Sequence, residues 1–160
     1  MRFIWREYDP NAMPFVEEWL DEKAIQFTGI DNKWQAFHQY WITDGKMNIG
    51  IDYWCKVVYD GGTPFAIIAF CLHEGNLHIM ELLVRPEMRG RGYGTLLLRE
   101  LLSNGKLIIG HKIEKATAIV FSNNRASRKT FEKVGFTSDA TNGQDDIKYQ
   151  YFLQQKAESM

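Results

Sequence analysis

The stretch Arg89-Gly90-Arg91-Gly92-Tyr93-Gly94-Thr95 carries the clearest chemical signal in this chain. An apolar run, Ile79 to Val84, leads into it and is closed by Pro86, which lacks the N–H that a sheet ladder needs. Leucines at 96, 97, 98, 101 and 102 follow at helical spacing. A glycine-rich loop running from strand into helix exposes backbone N–H groups at the positive end of the helix dipole. That arrangement cradles an anion, most often a phosphate. Without a ligand the same letters describe a simple strand-to-helix turn. No Gly-Lys-Ser/Thr closes the run, which excludes a Walker A loop, and Gly90-x-Gly92 is followed by Thr95 where a dinucleotide fingerprint needs glycine. The pattern that does fit is Arg-x-x-Gly-x-Gly, filled by Arg89, Gly92 and Gly94.

The elements that must position this loop are legible on both sides. Residues 2–8 alternate as a first strand, and Pro14 suits only a first helical turn. Phe15, Val16, Trp19 and Leu20 share one helical face, Gly29 interrupts, and Asp31 is placed to cap a second helix bearing Trp34, Phe37, Tyr40 and Trp41. Such an aromatic stripe packs a core or walls a cleft. Residues 49–59, 64–72 and 77–84 read as three antiparallel strands joined at Asp60-Gly61-Gly62-Thr63 and His73-Glu74-Gly75-Asn76. The leucine helix ends between Asn104 and Gly110. A strand at 115–121, parallel to 77–84 after a right-handed crossover, leads to a helix over 125–134 that Gly135 stops. Residues 136–137 start a short strand, 139–146 form a polar loop, 147–153 form a last strand, and a polar tail begins near 154.

Composition narrows the class. At 160 residues, with 45% hydrophobic and 24% charged content, the chain is expected to be one globular domain spanning 1–160. A net charge of −1 argues against nucleic acid or an anionic membrane surface as partner. Cys55 and Cys71 fall inside strands and read as buried thiols of a reducing compartment. With neither a signal peptide nor a membrane-length apolar run, the expectation is a cytoplasmic protein. His73 and His78 flank a hairpin turn with no further ligands to complete a metal set, so no metal is expected.

The second motif is Asn124-Arg-Ala-Ser127-Arg-Lys-Thr-Phe131-Glu-Lys-Val-Gly135-Phe136. With Arg89-x-x-Gly92-x-Gly94 upstream and a strand between, the chain resembles the Gcn5-related N-acetyltransferase (GNAT) superfamily. The resemblance implies an α/β (α+β) fold of order β-α-α-β-β-β-α-β-α-β-β, with a mixed sheet of about seven strands splayed between the fourth and fifth. It also implies acetyl-CoA as co-substrate and direct acetyl transfer to a primary amine of a small molecule or peptide. A bulge is expected near Leu82, Leu83 and Val84, freeing backbone groups for a pantetheine arm, with the Val84 N–H as oxyanion donor. The N–H groups of Arg89, Gly90, Arg91, Gly92, Tyr93, Gly94 and Thr95 would hold the pyrophosphate, the glycines admitting close approach. The Arg89 and Arg91 side chains either add charge there or are solvated. Asn124 bonds the pantetheine or caps its helix. Ser127 and Phe131 line the cofactor site, and Arg128 or Lys129 reaches the 3′-phosphate or stays in solvent.

An ammonium has a pKa of about 10.4, so a base must remove its proton near neutral pH. Glu81, in the central strand, takes that role by resemblance, or is a polar cleft residue. One position departs from the family: Phe131 stands where a tyrosine usually protonates the departing thiolate, leaving water, Tyr149 or Tyr151 as sources. That departure keeps a second reading alive, a non-catalytic module of the same fold that binds acetyl-CoA as a regulatory ligand. Acceptor specificity is expected from residues 15–45, 50–60 and 139–150. The segment Trp19-Leu20-Asp21…Gln26-Phe27-Thr28-Gly29 is similar to aminoglycoside 6′-type acetyltransferases. Glu17, Glu18, Asp21, Glu22, Asp31 and Asp44 either attract a cationic amine or are merely solvated. The letters leave monomer and homodimer equally open.

Overall fold

The structure is a computed structural model that describes residues 1–30, 33–44, 51–138 and 145–153. One seven-stranded sheet runs through it in the order β1-β2-β3-β4-β5-β7-β6. Its strands are β1 Ile4–Glu7, β2 Asp52–Asp60, β3 Thr63–His73, β4 Asn76–Val84, β5 Lys115–Phe121, β6 Thr137–Ser138 and β7 Asp146–Phe152. The β2–β3 hairpin turns at Gly61-Gly62, where Gly61 takes φ 63° at no steric cost. All neighbours pair antiparallel except β4 and β5, which are parallel. The connection between those two is helical, α3 Tyr93–Ser103 and α4 Gly105–Ile109. The expected single leucine helix is therefore two: Asn104 breaks the first, and Gly110 in the left-handed region ends the second.

Each face of the sheet carries its own core. On one face α3 buries Leu97, Leu98 and Leu101, and α5, Arg125–Val134, adds Phe131, against β-strand residues such as Phe70, Leu77, Ile79 and Ala118. On the other face Val16, Trp19, Ala24 and Trp34 cover Val57, Ile67, Ala69 and Leu83. The expected first helix divides into a 3-10 turn at Pro14–Trp19 and helix α1 at Glu22–Thr28, because Asp21 stops the turn and caps α1 by accepting the Ala24 N–H at 2.9 Å. Helix α2, Trp34–Gln39, has Lys33 rather than Asp31 at its N-cap. Its free N–H groups at Trp34 and Gln35 donate to the Glu17 carboxylate at 2.6 and 3.2 Å. Asp31 itself lies outside the described residues. Among the aromatic stripe, Trp34 is fully buried and donates to Cys55 Sγ, whereas Trp41 is half-buried and stacks on Tyr53.

The feature that makes a site is an interruption of this sheet. β4 and β5 pair only from Asn76↔Lys115 to Ile79↔Ala118, and beyond that the two strands part. The outer edges stay zipped, β4 to β3 as far as Val84 and β5 to β7 as far as Phe121. The expected splay is present, but the bulge is not at 82–84. Ala69 opposes Glu81 while Phe70 opposes Ile79, so Met80 is the extra residue. The consequence reaches every side chain downstream, since one inserted residue moves the following ones to the opposite face. Ile79 packs with the α3/α5 core, and without the bulge Glu81 would point the same way. Instead Glu81 opposes Ala69 and Leu83 opposes Ile67, both on the α1/α2 face.

Candidate active site

Two adjoining cavities open where β4 and β5 separate. One, of about 320 Å³, lies in the gap and includes Glu81, Met80, Ile119, Phe121, Phe27 and Asp146. The other, of about 570 Å³, lies against the glycine loop and the first turn of α3. Phe27, Leu82, Asn124, Ser127 and Phe131 line both, so the two form one continuous cleft.

Backbone geometry sets the cleft's polar inventory. The Arg85 N–H bonds the Phe65 carbonyl of β3 at 2.7 Å, so strand alternation turns the N–H and C=O of Val84 and Leu82 toward the gap. The Val84 carbonyl already accepts Arg89 Nε at 2.8 Å. At the other end, the first intrahelical bond of α3 is Leu96 N–H to Gly92 C=O, which leaves the N–H groups of Tyr93, Gly94 and Thr95 without a helical acceptor. Gly90 and Gly92 adopt φ 75° and 82°, the left-handed values that wrap the loop around those N–H groups. Gly94 has a different reason to be glycine: a Cβ there would stand 3.3 Å from Thr130 Cγ2, so its absence lets α3 and α5 pack closely.

The side chains divide between the cleft and the scaffold. Leu82, Leu83, Val84, Arg89, Gly90, Gly92, Tyr93, Gly94 and Thr95 all line the second cavity, as Asn124, Ser127 and Phe131 do. Arg91 is exposed and lines neither cavity. Each nitrogen of the Arg89 guanidinium donates within the protein, to Val84 O, to Asp21 Oδ2 at 2.8 Å and to Trp19 O at 3.1 Å. It clamps the loop to the start of α1. Burial pushes the Asp21 carboxyl up, but the Ala24 N–H and Arg89 together hold it below its ordinary value. Arg89→Ala is expected to lower stability by about 2 kcal/mol, the loss of several hydrogen bonds of about 1 kcal/mol each. Arg89→Lys recovers little, because an ammonium lacks the planar fork. Denaturant midpoints check this; unchanged stability with lost cofactor affinity would return Arg89 to the ligand.

Asn124 lines both cavities and caps α5 through Oδ1, which accepts the Ser127 N–H at 3.2 Å; among the described residues its amide NH₂ has no hydrogen-bond partner. Arg128 is committed to Tyr149 Oη and the Ser122 carbonyl, so the cations bordering the second cavity besides Arg89 are Lys129, Lys23 and Lys133. The last two were not legible as site residues: Lys23 comes from α1, distant in sequence, and Lys133 reads as an ordinary helix-terminal cation. Tyr149 is fully buried, with its hydroxyl held between Arg128 and Glu132, and Tyr151 packs on Phe136. Neither lines the cleft. Tyr93 does line it, but its hydroxyl donates to Asp60 at 3.1 Å.

Glu81 is the one carboxyl sunk inside the cleft, and burial alone pushes its pKa up to about 8. Both cysteines are free and line neither cavity. Burial raises both thiols, Cys55 to about 12. Of the regions expected to bind an acceptor, α1 contributes Phe27 and Thr28 and β7 contributes Asp146. β2 contributes nothing, because the sheet order sets it two strands from the gap. Residues 45–50 and 139–144 lie outside the described residues. Of the N-terminal acids, Glu17 and Asp21 cap helices, and Glu18 and Glu22 line neither cavity.

A glycine loop at a helix N-terminus, beside strands that part at a bulge, is the arrangement that the sequence motifs implied. The sequence model of the acetyltransferase (GNAT) family matches residues 13–136. The chain belongs to this family. Curated proteins offer no significant match. Solved structures match over nearly the whole chain at low identity, which shows a shared GNAT fold. An acetyltransferase from Thermus thermophilus is 15% identical, with 96% of this chain and 98% of that one covered at a TM-score of 0.70. The aminoglycoside acetyltransferase AAC(6′)-Ib, solved with coenzyme A, is 15% identical, with 94% of each chain covered and a TM-score of 0.70. A spermidine N-acetyltransferase from Vibrio cholerae, solved with CoA and spermine, is 12% identical, with 93% of each covered and a TM-score of 0.67. Among the described residues, no helix of this family member is long and apolar enough to cross a membrane.

Proposed function

We propose that the protein is an acetyl-CoA-dependent N-acetyltransferase that passes the acetyl group directly to a primary amine. The observation that carries this reading is the continuity of the cleft, which joins a buried carboxyl at Glu81 to an anion cradle at the start of α3. Acetyl-CoA supplies a thioester carbon for attack. The N–H groups of Tyr93, Gly94 and Thr95 receive its pyrophosphate, with Lys23, Lys129 and Lys133 adding positive charge at the border. The gap-facing backbone of Leu82, with the Asn124 amide, takes up the amides of the pantetheine arm in strand fashion. The Val84 N–H donates to the thioester oxygen as negative charge develops on it.

Glu81 accepts the proton of the incoming ammonium. A carboxyl whose pKa sits near 8 is well matched to that task, being basic enough to take a proton and ionised often enough to act. Phe131 and the engaged hydroxyls of Tyr93 and Tyr149 leave the thiolate to be protonated by water. A thiolate is a good enough leaving group for that, since its conjugate acid has a pKa of about 8.5 against about 10.4 for the amine. This same shortage of donors supports the second reading, a regulatory module that binds acetyl-CoA without turning it over.

The cysteines support direct transfer, since their raised pKa values and position outside the cleft supply no thiolate for a covalent stage. Intact-mass spectrometry of the protein held with acetyl-CoA and no amine is expected to find no acetylated protein. Accumulation of an acetyl-protein that discharges on adding amine would overturn direct transfer.

A further inference from the structure

We infer that the acceptor is a monoamine with an apolar body, an aryl- or alkylamine carrying a single positive charge, and not a polycation. This rests on the acetyltransferase reading above and names the substrate class for that site. The bulge at Met80 turns Glu81 to the α1 face of the sheet, where an acceptor must approach if the cofactor lies along α3. The β5 side chains on that face are Ile119 and Phe121, the alternates of the buried Ala118 and Val120. They remain 58% and 41% exposed, an unusual state for large apolar residues so close to the centre of a sheet. Phe27, from α1, lines the same cavity. A flat apolar body between Phe27, Ile119 and Phe121 would remove this surface from water, which favours binding by about 25 cal/mol per Å² covered.

The charges around the cavity count against a second ammonium. Glu81 can answer one. Asp146 stands at the mouth, opposite Phe121 in the β5–β7 ladder, and Lys148 stands opposite Ile119 on the same face. The field of Lys148 is felt along that face: burial and then Lys148 depress the pKa of His78. Lys148 lines neither cavity, but it shares the β7 face with Asp146, so a polycation that extends past Asp146 along this face meets a like charge. No other acidic side chain among the described residues lines this cavity. Its size, about 320 Å³, is at the small end for ligand sites.

The test separates binding from turnover. With the protein saturated with CoA, calorimetry gives Kd for phenethylamine, hexylamine, spermidine and an aminoglycoside, and thiol release from acetyl-CoA is measured on the same amines. Phenethylamine and hexylamine are expected to bind at least tenfold more tightly than either polycation. Ile119→Glu, at an exposed position that leaves the core untouched, is expected to weaken phenethylamine and strengthen spermidine. Tight monoamine binding without thiol release would uphold the inference about the cavity while overturning the enzyme reading. Preferential binding of spermidine or the aminoglycoside, or no binding by any of the four, would overturn the inference itself.

Discussion

Glu81→Gln is expected to lower kcat/KM for acetyl transfer at pH 7.5 by about 10²- to 10³-fold, within the range that a general base contributes. Glutamine matches the carboxyl in shape, and among the described residues Glu81 has no side-chain hydrogen-bond partner whose loss would disturb the strand. Acetyl-CoA affinity is therefore expected to stay within about twofold. A variant that kept its rate per bound cofactor would show that another group takes the proton.

The pH profile makes the same claim independently. If the ionised Glu81 takes the proton of a bound ammonium, kcat/KM rises with pH and levels off near 8, the value to which burial pushes this carboxyl. In Glu81→Gln only the free amine can react, so the limb moves toward about 10.4. Stability moves in the opposite sense. A carboxyl whose pKa is raised on folding binds its proton more tightly in the native state. The stability associated with it is present below the unfolded value of about 4.3 and is lost as pH rises through about 8. Glu81→Gln is thus expected to be the more stable protein at pH 8, with the advantage vanishing near pH 4; thermal melts at both pH values check this. Stability gained where activity is lost is the usual mark of a strained functional group.

The second large effect is at the loop. Gly92→Trp is expected to weaken acetyl-CoA binding by at least about 100-fold, because an indole at this position covers the N–H groups of the first turn of α3. The bulk itself has room, since nothing lies within 4 Å of a Cβ placed on Gly92. The cost to the fold is confined to the left-handed φ of 82°, about 1–2 kcal/mol for any side chain. Gly92→Ala carries that strain without the bulk, and is expected to bind acetyl-CoA within a few-fold of the parent. Equal loss in both variants would mean that loop conformation matters and the cradle does not.

Much of the fold was legible because its signals are local. Glycine at 61, at 110 and at 135 marks chain reversals or helix ends wherever it is read, and the boundaries of β5 and α5 fall where alternation and Asn124 put them. The splay followed from family resemblance, but the letters Ile79-Met80-Glu81-Leu82 contain nothing that locates a bulge. Its position is decided by which apolar residues find partners on β3, a tertiary outcome. The roles of Arg89 and Glu17 were hidden for a similar reason. Both act on segments distant in sequence, one clamping Trp19 and Asp21 to the loop and the other capping α2. Asn124 was left between two roles, and the geometry gives its oxygen to the cap while the residue still lines the cleft.

The central claim is that this cleft brings an amine to an activated acetyl group. It is tested most directly by free-thiol release from acetyl-CoA with purified protein, with and without a primary amine, alongside a thermal melt with acetyl-CoA alone. The account predicts a raised melting temperature and thiol release that depends on the amine and saturates with it. A raised melting temperature with no release on any amine would contradict catalysis and leave the binding module. No stabilisation by acetyl-CoA would contradict the cofactor site and, with it, the whole reading.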